Sequence, residues 1–144
     1  MRVNILFSQV GPIPKLADLL AKALAENGNV QVTTTPADTQ GTRPIPCAAY
    51  DLVILGCPTL GWLGGKLPPD LSAVLPRCTG LDGKTAAAFV NSRILGSVKS
   101  LRTAMGLLEK QGAMVEDFAA IGGADDASIF AERLVRLLER RRQG

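Results

Sequence analysis

Three short stretches, Val3 to Phe7, Leu52 to Leu55 and Ala86 to Val90, are dense in branched and aromatic apolar residues, and none carries a polar residue at every second position. A strand with one wet face alternates, and a strand covered on both faces does not. These runs therefore read as inner strands of a sheet with a layer of chain on either side. Val30 to Thr35 and Met114 to Ile121 are weaker strand candidates, expected at half-solvated sheet edges.

Between the strands the period changes. From Lys15 to Asn27 the apolar residues Leu16, Leu19, Leu20, Ala23 and Leu24 fall at helical spacing, with Pro14 suited to the helix start and Asn27-Gly28 to its stop. Val98, Leu101, Met105 and Leu108 repeat the pattern before Gly112. Near the end, Asp125 and Asp126 are candidate acidic N-caps. Phe130, Leu134, Leu137 and Leu138 form a stripe, and the arginines at the far end complement the helix dipole. A short helix is predicted from Pro69 to Leu75, closed by Pro76.

The predicted order is strand, helix, strand, Pro-rich connection, strand, short helix, strand, helix, strand, helix. Right-handed crossovers then place helices on both faces of a parallel sheet, an α/β fold of three layers and doubly wound. With 144 residues the whole of 1–144 is expected to be one domain.

Composition narrows the chemistry. The chain is 47% apolar and contains no histidine. Serine-histidine and cysteine-histidine catalysis, histidine metal ligation and histidine pH switching are thereby excluded. Sixteen basic residues stand against 13 acidic, and Arg133, Arg136, Arg140, Arg141 and Arg142 crowd the last dozen positions. The body of the domain is close to neutral, which is no nucleic-acid footprint. Cys47, Cys57 and Cys78 are odd in number and lack metal-site spacing. No apolar stretch approaches the roughly 20 residues of a membrane span, so a soluble protein of a reducing, cytoplasmic setting is expected, with no membrane partner.

In such sheets ligands bind beyond the carboxyl ends of the strands, where the strand order reverses. That principle selects three loops: Ser8 to Pro14, Gly56 to Lys66 and Asn91 to Gly96. The middle one, Gly56-Cys57-Pro58-Thr59-Leu60-Gly61-Trp62-Leu63-Gly64-Gly65-Lys66, carries the only tryptophan among glycines that let backbone approach a flat ligand. Cys57, ending a buried strand at the mouth of the site, is also a candidate nucleophile, although no base lies near it in the sequence.

The run from Tyr50 to Pro68, together with Leu81-Asp82-Gly83-Lys84 leading into Thr85 to Val90, resembles the flavodoxin family. In element order and size the resemblance extends over essentially the whole chain. It implies a five-stranded parallel sheet in the order 2-1-3-4-5, an arrangement for which flavodoxin is a standard illustration, with the flavin at the strand 1/strand 3 switch point. It also implies FMN as cofactor. Its phosphate would lie at Ser8-Gln9-Val10-Gly11-Pro12-Ile13, and its ring between Pro58, Thr59, Leu60, Gly61, Trp62 and Gly64 on one side and Asn91, Ser92, Arg93 and Gly96 on the other. One-electron shuttling to a redox partner protein follows from the same resemblance, with no protein acid or base taking part.

The departures are specific. The family's phosphate loop is a Ser/Thr-x-Thr-Gly-x-Thr run at a helix N-terminus. Here Val10 and Ile13 replace two hydroxyl donors, and Pro12 lacks an amide hydrogen. Hydrogen bonds to charged groups contribute about 1.5–3 kcal/mol each, so the two lost hydroxyls weaken FMN by about 3–6 kcal/mol. Leu60 stands where the family usually has an aromatic, and the third loop lacks the family's acidic and tyrosine residues. Other doubly wound families fit worse. Ser8-Gln9 and Gly56-Cys57 are not the acids of a response-regulator receiver, the first loop lacks G-x-G-x-x-G, and no cysteine precedes Cys47 to make a tyrosine-phosphatase loop. Two expectations remain: an FMN-binding electron-transfer protein, and a flavodoxin fold that has lost FMN and serves as a binding or accessory module.

Overall fold

The computed structural model describes residues 1–27, 29–59, 68–92 and 97–143. The elements run β1 (Arg2–Phe7), α1 (Ile13–Ala25), β2 (Gln31–Pro36), β3 (Ile45–Pro46), β4 (Leu52–Cys57), α2 (Pro69–Val74), a 3-10 turn (Leu75–Arg77), β5 (Cys78–Thr79), β6 (Thr85–Asn91), α3 (Ser97–Lys110), β7 (Met114–Ile121) and α4 (Ala124–Gln143). Five strands form one all-parallel sheet in the order β2-β1-β4-β6-β7. Numbered among themselves these are 2-1-3-4-5. β3 and β5 form a separate two-stranded parallel pair that the sequence pattern does not reveal.

β4 and β6 are buried at every position, and β1 at its four inner ones. The edge strands β2 and β7 are half-solvated. Two apolar layers result. On one face Val3, Ile5, Ile54 and Phe89 pack against Leu16 and Leu20 of α1 and Phe130, Leu134 and Leu138 of α4. On the other, Leu6, Val53, Leu55, Ala88 and Val90 meet Leu71 and Val74 of α2 and Ala104 and Leu108 of α3. Burying one such aliphatic side chain contributes about 1.5–3 kcal/mol.

Element boundaries depart from the sequence pattern where local chemistry intervenes. α1 starts at Ile13 rather than Lys15, because Pro12 already has helical dihedrals at the N-cap and Ile13 is fully buried. Asp125 and Asp126 lie within the first turn of α4 instead of capping it, and Asp126 accepts the Gly122 amide at 2.7 Å. Pro76 sits inside the 3-10 turn that extends α2. No helix among the described residues is long and apolar enough to cross a membrane, and none of their side chains form a metal-binding group of three.

Candidate functional site

The chain leaves β1 for α1 on one face of the sheet, and leaves the neighbouring β4 for α2 on the other. In a sheet wound this way the connections leave in opposite directions, and a ligand crevice is expected at the carboxyl ends of the strands. Ser8, Thr59 and Asn91, all buried polar residues, meet at this end.

The loop after β1 is held by the neighbouring strand β4 and by the first turn of α2. Ser8 donates its amide to Gly56 O at 2.9 Å, and its hydroxyl lies 3.0 and 2.9 Å from the two carboxylate oxygens of Asp70. The Gln9 amide donates to Asp70 Oδ2 at 2.7 Å, and the Val10 amide to Ser8 Oγ at 3.2 Å. Ile13 N reaches Val10 O at 3.4 Å, while Pro12 has no hydrogen to give. Of the amides from Ser8 to Ile13, only that of Gly11 has no acceptor among the described residues. Gly11 has φ +60, a conformation that glycine adopts without strain. Gln9 donates Nε2 to Ala37 O at 2.5 Å, Val10 is 40% exposed, and Lys15 is exposed in the first turn of α1.

Asp70, in the first turn of α2, is the residue at this candidate site that sequence reasoning missed. Its carboxylate also accepts the Leu71 amide at 2.8 Å. Sixty-two residues separate it from Ser8. The available signal was topological: an acid opening the helix after β4 must face the loop after β1, because the two strands are neighbours.

The second and third loops are tied to each other. Thr59 donates its amide to Asn91 Oδ1 at 2.6 Å and its hydroxyl to Asn91 O at 2.7 Å, both buried. Pro58 is buried beside them, and the exposed Ser92 donates its amide to Ile121 O at 2.9 Å. Thr59 and Asn91 thus brace the site, the amide and hydroxyl of Thr59 both spent on Asn91. Leu60, Gly61, Trp62, Gly64 and Gly65, and likewise Arg93 and Gly96, lie outside the described residues. Cys57 is buried, with its thiol pushed up to about 12 by burial and then by the negative charge of Asp70. Burial and a neighbouring negative charge both oppose the thiolate, so Cys57 is not activated as an attacking nucleophile.

A phosphate requires converging donors and an excess of positive charge. In this loop an aspartate already occupies the Ser8 hydroxyl and the Gln9 amide, leaving the Gly11 amide and the exposed Lys15 in the first turn of α1. Among the described residues, the donors of this loop do not fit the phosphate of FMN.

No protein-family model matches the chain, and no curated protein matches it. Solved structures do. Oxidised flavodoxin 1 from Bacillus cereus is 21% identical over 94% of this chain and 98% of its own, with a TM-score of 0.71. A cysteine-to-alanine mutant of the flavodoxin from Pseudomonas aeruginosa is 15% identical over 96% and 99%, at 0.72. Two-electron reduced Megasphaera elsdenii flavodoxin is 21% identical over 92% and 96%, at 0.64. Likeness at this identity concerns architecture, and together with the strand order it establishes that this chain has the flavodoxin-like fold.

Proposed function

We propose that this protein is a flavodoxin-fold binding or accessory module whose crevice rejects phosphate-bearing ligands and does not hold FMN by the loop after β1. One observation carries the reading: the Asp70 carboxylate seated on the Ser8 hydroxyl and the Gln9 amide. Those donors face the crevice in a fold that elsewhere places anions there, and an internal anion now satisfies them.

The test is a titration with FMN and, separately, riboflavin, followed by the fluorescence of Trp62, the only tryptophan in the chain. The expected result is no saturable quenching by FMN at micromolar concentration and no preference for FMN over riboflavin. Saturable quenching at or below micromolar FMN, with riboflavin clearly weaker, overturns the proposal.

That outcome would establish the second reading, an FMN-dependent electron carrier. Its support is the near-complete mutual coverage with flavodoxins solved in oxidised and two-electron reduced forms.

A further inference from the structure

The three cysteines are free thiols, all are buried, and two of them belong to paired segments of chain. β3 and β5 pair in parallel with Ile45 opposite Cys78 and Pro46 opposite Thr79. Cys47 follows at once, and its amide donates to Thr79 O at 2.8 Å, so the pairing continues through it. Residues two apart on a strand share a face. Cys47 therefore lies on the face of Ile45, diagonal to Cys78, and both side chains enter the apolar cluster that holds Val74, Leu75 and Leu81. There the Cys78 thiol faces two acceptors, the Cys47 sulfur and Val74 O at 3.8 Å, while the Cys47 thiol lies 3.7 Å from Ile45 O.

We propose that Cys47 and Cys78 are a redox-active dithiol, which a hydroperoxide converts to an intramolecular disulfide between β3 and β5. This proposal is independent of any reading of the crevice.

The pair is asymmetric in the way the chemistry requires. The hydrogen bond from Cys78 lowers the Cys47 thiol below its ordinary value against the opposing effect of burial, and the charge of Lys84 adds to the lowering. Lys84 is held in place by donating Nζ to Ala48 O at 3.1 Å and Tyr50 O at 2.7 Å. Cys78, as the donor and as a buried group, is pushed up. Cys47 is thus the attacking sulfur and Cys78 the resolving one.

The steps balance without a further reagent. The Cys47 thiolate attacks one peroxide oxygen, an S–O bond forms, the O–O bond breaks, and the alcohol or water leaves with a proton. Cys78 sulfur then attacks the sulfenic sulfur, the S–S bond forms, the S–O bond breaks, and the hydroxyl leaves as water with the Cys78 proton. Two thiols lose two electrons, and the peroxide gains them. Cys47 is fully buried and Cys78 8% exposed. Entry therefore requires local opening, which strands of two residues permit far more readily than the central sheet. The bond closes a loop of chain that contains β4 and α2 with Asp70.

The experiment exposes the native protein to hydrogen peroxide, quenches with an alkylating agent in denaturant, and maps disulfides by mass spectrometry of the digest. The expected product has lost two hydrogens, links the Cys47 peptide to the Cys78 peptide and leaves Cys57 alkylated. Cys57→Ala forms the same bond at the same rate, and Cys78→Ser accumulates a sulfenic acid on Cys47 that dimedone traps. Retention of all three thiols under excess peroxide, a bond that includes Cys57, or exclusively intermolecular bonds would overturn the proposal. Because the peptide map is made on the unaltered chain, it decides the matter even where a serine variant misfolds.

Discussion

Replacing Asp70 by asparagine changes one charge and little else in shape, and the structure assigns it two effects of opposite sign. A phosphate reaching the Ser8 hydroxyl and the Gln9 amide would sit beside the carboxylate that already holds them at 2.7–3.0 Å. Unit charges about 4 Å apart repel by about 4 kcal/mol at an effective dielectric of about 20. Asp70 is partly exposed, so screening reduces this to about 1.5–3 kcal/mol, or about 10- to 150-fold in affinity. Asp70→Asn should therefore strengthen FMN or inorganic phosphate by that factor while leaving riboflavin unchanged. The same substitution should weaken the fold. The carboxylate serves three donors, from Ser8, Gln9 and Leu71, and an amide turns hydrogens toward at least one of them. The cost is about 1–2 kcal/mol, seen as a fall in Tm of about 3–6 °C. Fluorescence titration and thermal denaturation of the same sample read both effects. A variant that binds FMN more weakly than the parent would refute the reasoning, since it would mean that Asp70 arranges the loop for phosphate instead of excluding it.

Two glycines make contrasting stability predictions. A Cβ on Gly56 would lie 2.5 Å from Phe89 Cζ and 3.2 Å from Phe7 Cβ in the packed core, so Gly56→Ala should lower unfolding free energy by about 1–3 kcal/mol in denaturant titration. At Gly106, inside α3, a Cβ meets nothing within 4 Å, and Gly106→Ala should raise stability by about 0.5–1 kcal/mol. Cys57, with its thiol raised from 9.0 to about 12, should resist thiol reagents at pH 8 in the folded protein and react at once in denaturant. Its linkage acts only in alkali. Between about pH 9 and 12 the unfolded thiol ionises while the folded one keeps its proton, so stability falls as pH rises, by up to about 1.4 kcal/mol per unit. Cys57→Ala should flatten that slope, and an unchanged slope would refute the assignment.

The layers of this fold were legible because the pattern that reports them is local. β4 and β6, buried throughout, show as unbroken apolar runs, and β7, half-solvated from Met114 to Ile121, was legible with its bounds. The β3–β5 pair was not legible, because two residues per strand carry no period. Contacts distant in sequence help to set it, such as those of Arg77, which donates Nε to Arg43 O at 2.8 Å and Nη1 to Asp38 O at 3.0 Å. At the crevice the same division holds. Topology brings Ser8, Thr59 and Asn91 to one end of the sheet, as the element order implies. Which polar group then satisfies which is decided by pairings across 32 and 62 residues, and no spacing reports those.

The loop after β1 can change its donors at little cost to the fold, because Gln9, Val10, Gly11 and Pro12 are exposed and contribute nothing to either apolar layer. Ser8 is different: it is fully buried, and a buried hydroxyl without a partner costs about 1–3 kcal/mol. Where a bound phosphate does not supply that partner, the chain must do so itself, and the first turn of the helix after the adjacent strand is the nearest element able to place a carboxylate there. Asp70 thereby satisfies Ser8 and Gln9 without a ligand. With those donors taken and a negative charge beside them, the melting temperature of the unaltered protein should not rise with added inorganic phosphate, whereas that of Asp70→Asn should. A phosphate-dependent rise in the unaltered protein would mean that Asp70 gives way to the ligand, and the internal anion would then be a placeholder instead of a barrier.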